Sequence, residues 1–311
     1  MRVTGSFYSQ AMVRQLNVLA ARQYKLQNQV ATGQKLHAPE DDPAAMQRTL
    51  ALRQEQQNVA QFQENIAGLK ERASAAFDTL KAVKEKLDRA NDLAIQAGGL
   101  RSPEELKDYG NQVKQLIEGA VQLLNAKQRG QFLFAGTKSD APPFAISTDA
   151  EGVVTGVAYR GNSNVNVAEI ESGALVAVDV PGENGSGSGP RGLAADSRAG
   201  ADLFGHLIAL QNHLLAGDVA AVKAEDLPAL AQDEDNLIFH IGNNGGVQTR
   251  LETAGSLASA QALSLSQMVS QEADADLADS IMQLNQTQTA YQAALASGAG
   301  LLKMSLMDYL R

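Results

Sequence analysis

The chain has 311 residues and a formal net charge of −9, and 44% of its residues are hydrophobic, with neither Cys nor Trp. The lack of Cys excludes disulfide frameworks, thiolate nucleophiles and Cys-based metal sites, and four His leave little for metal binding. The acidic balance argues against nucleic acid as a partner, and no apolar run approaches the roughly 20 residues of a membrane helix. Composition therefore favours a helix-rich protein with an aliphatic core and argues against most enzymes.

The N-terminal segment is predicted to form one long amphipathic helix that ends at Thr32-Gly33, since Gly readily takes the left-handed conformation of a helix stop. Its core positions recur at alternating steps of four and three, as in a coiled coil: Met12, Leu16, Leu19, Gln23, Leu26 and Val30. Residues 1–39 include five basic side chains and no acidic one. Organelle transit peptides share that pattern, so this alternative stays open, whereas Arg14 interrupts any apolar run that could serve as a secretory signal.

A second helix is predicted to begin at Asp42 and Pro43, with Asp42 as the N-cap and Pro43 at the first helical position. An unbroken heptad pattern extends it to Ala97, which corresponds to roughly 80 Å of helix and therefore to one strut of a rod. A double glycine ends it. Ser102 and Glu105 then predict a capping box for a third helix, which the short connection makes antiparallel to the second.

The middle of the chain, residues 137–196, is predicted to form a small antiparallel β insert. Gly, Pro, Ser, Thr and Asn dominate it, and turn signals separate β-rich runs at 153–160, 165–170 and 174–180. The Gly- and Ser-rich segment 185–189 predicts a flexible linker. A G-x-G-x-x-G match at 187–192 lacks the strand and helix that a dinucleotide site needs, so we assign it to this linker.

The remainder of the chain is predicted to be helical, over about 201–216, 219–241 and from near Gly246 almost to Arg311. The last helix repeats the coiled-coil pattern of the N-terminus at Leu277, Ile281, Leu284, Gln288, Tyr291 and Leu295, and continues through Leu302, Leu306 and Leu310. Because both ends of the chain carry the same pattern, we expect the two termini to pair with each other.

These elements predict a mainly α fold with a β insert: a long antiparallel coiled-coil helical rod built from both termini, plus a small antiparallel β domain in the middle. Three parts are expected. Terminal coiled-coil segments comprise 1–35 and 279–311 and are disordered in the free monomer, a helical rod domain comprises 36–136 and 197–278, and a β-rich outer insert comprises 137–196.

No catalytic, cofactor or metal site is indicated by the sequence, and we predict that the chain is not an enzyme. The acidic run 272–279 lacks the Gly and the distant Glu of a calcium loop, and is predicted to be a solvated helix face. His206 and His213 are seven residues apart, not four as in a helical zinc pair, and are predicted to be ordinary core or surface histidines. No Ser lies in a plausible nucleophile elbow.

Three segments of the chain carry a family likeness. In Val30–Ala45, T-G ends one helix and P-E-D-D-P opens the next; Gln131–Lys138 reads Q-F-L-F-A-G-T-K before A-P-P-F; and residues 301–310 form an aliphatic tail. Together they resemble flagellin-like proteins, and within them the hook-associated protein 3 family of hook–filament junction proteins. Lys35-Leu-His differs from the Arg-Ile-Asn common in filament flagellins. The resemblance covers both terminal thirds, and the middle agrees in position and size alone.

The resemblance implies a structural protein of the bacterial flagellum that is exported through the flagellar channel without a cleaved signal peptide and assembles as an extracellular ring. Implied partners are further copies of the chain, the preceding hook-side junction protein, flagellin and a cytoplasmic export chaperone. The residues expected to form the assembly seam are Met12, Leu16, Leu19, Leu26, Val30, Leu277, Ile281, Leu284, Leu295, Leu302 and Leu306.

Two alternatives remain at this point. The chain could be a filament flagellin that polymerises with itself into long tubes, or a helical binding or chaperone module whose coiled coils are permanently folded. Long tubes formed by the concentrated protein would indicate the first, and stably folded termini in a monomer would indicate the second.

Overall fold

The structure is a computed structural model, and it describes residues 3–309, with the side chains of residues 10–299. The chain divides into two compact units. The first unit contains residues 1–58 and 261–311, and the second contains residues 59–260. This division does not test the three predicted parts, whose boundaries stay a prediction.

Long helices make up most of the described chain, in agreement with the predicted mainly α fold. They are α1 (Val3–Thr32), α2 (Pro43–Ala97), α3 (Pro103–Leu124), α4 (Leu203–Ala216), the short α5 (Val219–Ala221), α6 (Leu227–Ala273) and α7 (Leu277–Tyr309), with a π-helical turn at Val222–Asp226 between α5 and α6.

The strands are short and lie between α3 and α4. They are β1 (Lys127–Gln128), β2 (Gln131–Phe132), β3 (Phe144–Thr148), β4 (Val154–Tyr159), β5 (Val167–Glu171), β6 (Ala174–Ala177), β7 (Glu183–Asn184), β8 (Ala195–Asp196) and β9 (Ala201–Asp202). The antiparallel hairpins β3–β4 and β5–β6 agree with the predicted β insert, whereas the antiparallel hairpin β1–β2 lies before its predicted start at residue 137. One pair differs, because β7 and β8 run parallel over two residues before β9 pairs with β8 in the antiparallel sense.

In the second unit, α2 and α6 run antiparallel. Gln63 contacts Ser259, Ile66 packs at Gly255 and Lys84 forms an ion pair with Glu234, so positions that rise along α2 meet positions that fall along α6. The third helix, α3, begins as the sequence predicts. The Ser102 hydroxyl accepts from the Glu105 backbone N–H, and the Glu105 carboxylate accepts from the Ser102 N–H.

The helices and the β insert of the second unit share one hydrophobic core. Phe144 of β3 is 2% exposed, and its ring lies 5.2 Å from the ring of Tyr159 on β4 and 5.4 Å from that of Phe204 on α4. The side-chain amide of Gln211 on α4 donates to the carbonyl of Val154 at 3.1 Å. Because the same core includes Val180 and other insert residues, the insert is packed into the helical unit and is not a separate appendage on it.

The path of the C-terminal helices differs from the prediction. The predicted interruption near Gly246 is absent, since α6 continues unbroken from Leu227 to Ala273. Each helical Gly costs up to about 1 kcal/mol relative to Ala, but α6 packs along α2, where Gln248 donates to the carbonyl of Ala73 and Gly255 lies against Ile66. Tertiary packing therefore overrides local propensity.

The predicted flexible linker at 185–189 is a loop held by two buried polar side chains. Asn184 donates to the carbonyl of Ser188 at 2.7 Å and accepts from the backbone N–H of Ser186 at 3.0 Å. Asp196 is 1% exposed and accepts from the backbone N–H of Gly192, and Arg198 pairs with it while donating to the carbonyl of Gly189. The pKa of the Asp196 carboxyl is lowered, chiefly by Arg198.

The shared core predicts that Phe144→Ala destabilises the helices as well as the insert. Removing a buried Phe side chain leaves a cavity and costs about 3–5 kcal/mol. Urea unfolding followed by helical circular dichroism measures this loss. Val167→Ala is the control, because Val167 also lies in the insert but is 56% exposed. If Phe144→Ala left the helical transition at its original midpoint, the insert would be energetically separate from the helices.

Candidate assembly surface

The two terminal helices pair in the first unit, as the sequence predicts. Arg22 of α1 donates to Gln283 of α7 at 3.3 Å, and Met12 packs at Gly298. Since Met12 precedes Arg22 while Gly298 follows Gln283, α1 and α7 are antiparallel. Met12 lies over Gly298, where a residue with a side chain would clash with it.

The helices of both chain halves are interrupted at the same level of this unit. Lys35 donates its backbone N–H to the carbonyl of Ala273 at 2.7 Å, and Ala275 donates to the carbonyl of Gly33 at 2.8 Å. Gly33 has φ of +70°, a left-handed conformation that most other residues adopt with strain. This two-bond bridge ends α1 and α6, and thereby fixes the level from which α7 returns along α1.

The acidic run that contains Asp276 has a structural role at this interruption. Asp276 caps α7 by accepting from the backbone N–H groups of Ala278 and Asp279, at 2.9 and 3.1 Å. Glu272 forms a two-point ion pair with Arg48 of α2. Asp274, Asp276 and Asp279 are exposed, as predicted, but they lie at a capped break between two helices and not on one continuous helix face. The helix breaks here because the Ala273 carbonyl and the Ala275 N–H bond to Lys35 and Gly33.

The connection between α1 and α2 is held by Asp41. Its carboxylate pairs with Lys25 of α1 at 2.7 Å and accepts from the backbone N–H groups of His37 and Ala38, at 3.1 and 3.2 Å. The Lys25 ammonium, followed by these two N–H groups, lowers the pKa of Asp41 from 3.8 to about 2. The carboxylate therefore keeps its charge and its contacts at ordinary pH.

The start of α2 has the geometry expected for Asp42 and Pro43. Pro43 is the first helical residue, and the Asp42 carboxylate accepts from the backbone N–H groups of Ala44 and Ala45, at 3.1 and 3.0 Å. These two bonds satisfy N–H groups that have no partner within the first helical turn.

The predicted α1 seam faces inward. Met12, Leu16, Leu19 and Val30 are half-buried, and Leu26 is 5% exposed. Leu26 is the most buried of the five, so the seam as a whole remains thinly covered within one chain.

The predicted α7 seam does not face α1 as a whole. Leu284 is half-buried, but Leu277, Ile281 and Leu295 are 47%, 45% and 45% exposed. Within residues 277–299, whose burial the structure describes, α7 buries Ser280, Thr287 and Gly298. The assignment of Leu277, Ile281, Leu284 and Leu295 to the assembly seam stays a prediction, and three of these four side chains are exposed within one chain. The predicted seam residues Leu302 and Leu306 lie outside the described side chains.

The exposed residues of α7 line up with an exposed stripe of α1 that lies outside the predicted seam. At 100° per residue, Ile281 and its neighbours are centred about 80° around α7 from the buried stripe. Val13 and Tyr24, 56% and 67% exposed, lie about 110° around α1 from its inward seam. Both rotations have the same sense. In an antiparallel pair they bring the two stripes to the same side.

We call this side of the α1–α7 pair the outer stripe. Its residues carry no charge: Val13, Asn17, Ala20, Tyr24, Gln27 and Ala31 on α1, and Leu277, Ile281, Gln288, Gln292 and Leu295 on α7. A mixture of aliphatic, aromatic and amide side chains is suited to packing against another helix pair. The sequence contains this signal as a second run of three- and four-residue steps, at 13, 17, 20, 24, 27 and 31. The signal is weak because polar or small residues occupy four of these six positions.

Within the described range, no group of three or more His, Asp or Glu side chains is placed to hold a metal ion. No helix in that range has both the length and the hydropathy required to cross a membrane.

Comparison with known proteins identifies relatives of this arrangement. Residues 6–139 match the bacterial flagellin N-terminal helical region. The flagellar hook-associated protein 3 of Escherichia coli is 22% identical over 99% of this chain and 99% of its own length. These matches confirm the resemblance to hook-associated protein 3.

Solved structures agree with the fold. A flagellar hook-associated protein of Vibrio parahaemolyticus has a TM-score of 0.63 at 22% identity and covers 75% of this chain and 100% of its own. FlgL of Bacillus cereus has a TM-score of 0.56 at 23% identity and covers 71% of this chain and 99% of its own. At these identities the two structures support the fold alone.

The Asp41 contacts predict that Asp41→Asn loosens the connection between α1 and α2. The amide cannot pair with Lys25 and accepts more weakly from the backbone, so amide hydrogen exchange at His37 and Ala38 should accelerate several-fold. Glu40→Gln removes a neighbouring charge that forms no ion pair among the described side chains, and it should change the exchange little. In the unmodified chain, the stability that the ionised Asp41 carboxylate gives the fold is present above pH 3.8 and is lost as the pH falls toward 2. Equal exchange in the two variants would contradict the role given to Asp41.

Proposed function

We propose that the chain has a structural role in the bacterial flagellum, at the junction of hook and filament. Its residues 6–139 match the bacterial flagellin N-terminal helical region, and its whole length resembles hook-associated protein 3. The chain acts at that junction without catalysis, as a ring of copies assembled through their terminal helices. The observation that carries this proposal is the outer stripe, an uncharged and partly apolar side that the chain leaves exposed.

The α1–α7 pair has little to hold it together alone. Ordering a residue costs roughly 1–2 kcal/mol of backbone entropy, and a fully buried aliphatic side chain returns about 1.5–3 kcal/mol. The described positions that the pair buries most include only one large aliphatic residue, Leu26, with Ser280, Thr287 and Gly298 opposite. We infer that residues before about 34 and after about 278 are disordered in the free monomer and become ordered when neighbouring subunits cover the outer stripe.

The charge distribution of the first unit favours contact between unlike faces. Arg14 and Arg22 on α1 are exposed, while Asp274, Asp276 and Asp279 are exposed around the start of α7. Among the described side chains, none of these five residues forms an ion pair. Contacts between a basic face of one copy and an acidic face of the next are heterologous, and repeated heterologous contacts generate a ring or a helix and not a closed dimer.

The proposal extends to the division of the chain. Residues 1–35 and 279–311 serve assembly, 36–136 with 197–278 form the helical rod domain, and 137–196 lie on the outer surface of the assembly. Further proposed partners are the hook-side junction protein, the first layer of flagellin and a cytoplasmic export chaperone, with export by the flagellar route and no cleaved signal peptide. These partners and this route rest on the resemblance.

Exposure of the outer stripe predicts that Ile281→Asp abolishes filament attachment. In an assembled ring the new carboxylate would be buried without a partner, at a cost of several kcal/mol. Electron microscopy of cells that express this variant in place of the unmodified chain should show intact hooks and detached filaments, as in a strain lacking the chain.

Ala290→Asp is the matched control for Ile281→Asp. It places the same charge on α7 at an exposed position on the other side of the pair, and filaments should remain attached. Normal filaments on the Ile281→Asp strain would refute the assignment of the outer stripe to assembly. Long tubes formed by the purified chain would instead favour a filament flagellin.

Disorder of the termini in the free monomer predicts rapid amide hydrogen exchange at Leu16 and Leu284. Protection factors there should be far below those in the core of the second unit, for example at Leu210, which is 0% exposed. Strong protection at Leu16 and Leu284 in the soluble monomer would contradict this mechanism and would favour a permanently folded binding module.

A further inference from the structure

Two histidines of α4 contact two aspartates of the helical segment that follows it. His206 Nδ1 lies 2.8 Å from Asp233 Oδ2, and His213 Nδ1 lies 2.9 Å from Asp226 Oδ2. Asp226 is the last residue of the π-helical turn, and Asp233 lies in the second turn of α6. These contacts join α4 to the start of α6.

The four residues form a ladder with two rungs. The histidines are seven residues apart on one helix and the aspartates are seven apart on the next, and the order is reversed between them. Seven residues are close to two helical turns, roughly 10 Å, so both rungs lie on the same face of an antiparallel hairpin. From the sequence, His206 and His213 are predicted to be ordinary core or surface histidines, because their spacing does not suit a helical zinc pair. The matching spacing of Asp226 and Asp233 is the sequence signal for the two contacts.

Burial within each rung is unequal. The side chains of Asp233 and Asp226 are 1% and 3% exposed, whereas those of His206 and His213 are 26% and 28% exposed. Asp233 also accepts from the backbone N–H of Asp202 at 2.9 Å. Each carboxylate is therefore shielded from water, whereas its imidazole partner is in contact with water and can exchange a proton with the solvent.

The surroundings of the ladder are acidic. The charged groups that act on the rungs, besides the four residues themselves, are Asp202 beside His206 and Asp233, and Glu225 beside Asp226. Among the described side chains, no Lys or Arg pairs with Asp226 or Asp233. The imidazolium rings are thus the cations that can neutralise the two buried carboxylates.

We propose that this ladder is a pH-responsive clamp that holds α4 to α6 more firmly below neutral pH than above it. With both rings protonated, each rung is a neutral ion pair. With both rings neutral, an N–H hydrogen bond remains in each rung, but two buried negative charges about 10 Å apart lose their counterions, close to Asp202 and Glu225. The clamp is a property of the second unit and does not depend on the flagellar role.

The directions of the pKa shifts agree with this geometry. The hydrogen bond to Asp233 raises the pKa of His206 above 6.5. Protonated His206 therefore contributes fully to folding stability below pH 6.5, and this contribution is lost as the pH rises through the pKa of His206 in the folded chain. Burial raises the pKa of Asp226 and of Asp233, which also favours the folded chain at lower pH. All three shifts weaken the hairpin as the pH rises.

Two other groups of the second unit limit the pH range in which the clamp can be measured. Burial lowers the pKa of His240 from 6.5 to about 4, so protonation of this ring destabilises the fold as the pH falls below 6.5. Burial raises the pKa of Glu183 from 4.5 to about 7. The stability that protonated Glu183 gives the fold is therefore largely lost by neutral pH. The clamp is therefore examined between pH 6.5 and 9, by comparison with variants.

Urea unfolding of the full chain tests the clamp. The midpoint of the second unit should fall between pH 6.5 and 9, and this fall should be at least halved in His206→Asn/His213→Asn, because Asn keeps a donor near the Nδ1 position without titrating. Asp226→Asn/Asp233→Asn, which removes the buried charges, should also flatten the profile. His37→Asn, at an exposed histidine of the first unit, is the control and should retain the full fall.

An unmodified midpoint that stays constant from pH 6.5 to 9 would overturn the proposal, and so would an undiminished fall in both double variants. If the double variants do not fold, an NMR titration of the His206 ring in the unmodified chain decides. Titration above pH 6.5 supports the clamp, and titration at or below 6.5 overturns it.

Discussion

The terminal pair depends on a two-bond backbone bridge. Lys35 and Ala275 donate to carbonyls across the interruptions between α1 and α2 and between α6 and α7. Because both interruptions lie at one level, α7 leaves antiparallel to α1 with its register already set. Asp41, Asp276 and the Arg48–Glu272 pair then satisfy the polar groups around the bridge. The register decides which residues of α7 meet α1.

That register explains the weak seam. Ser280, Thr287 and Gly298 face α1, while Ile281 and Leu295 stay exposed. A pair that buried its Leu residues internally would be stable alone but would have little left for neighbours. Here the apolar area lies on the outer stripe, where a second copy can cover it. The same division of surface accounts for both proposals about the termini, namely disorder in the monomer and order in the assembly.

The second unit, unlike the α1–α7 pair, is held together by a large buried core. Its core is large and shared, and buried polar side chains hold the loops that enter it. Asn236 donates to the carbonyls of Gly192 and Leu193, and His240 lies 3.0 Å from the Gly192 carbonyl. The His–Asp ladder adds titratable contacts at the start of α6. Each such group needs its partner, since an unpaired polar group in a core is costly.

The local elements and the family likeness follow from the amino-acid sequence. Asp42-Pro43 and Ser102 with Glu105 mark helix starts through backbone N–H groups that need acceptors, and three- and four-residue steps predict the long helices and the pairing of the termini. Four features depend on the folded chain: which stripe of α7 meets α1, where α6 ends, how the 185–189 loop is held, and the contacts of His206 and His213 with Asp233 and Asp226. The physical reason is that periodicity identifies an apolar face but not its neighbour, whereas these features depend on contacts between residues distant in the chain.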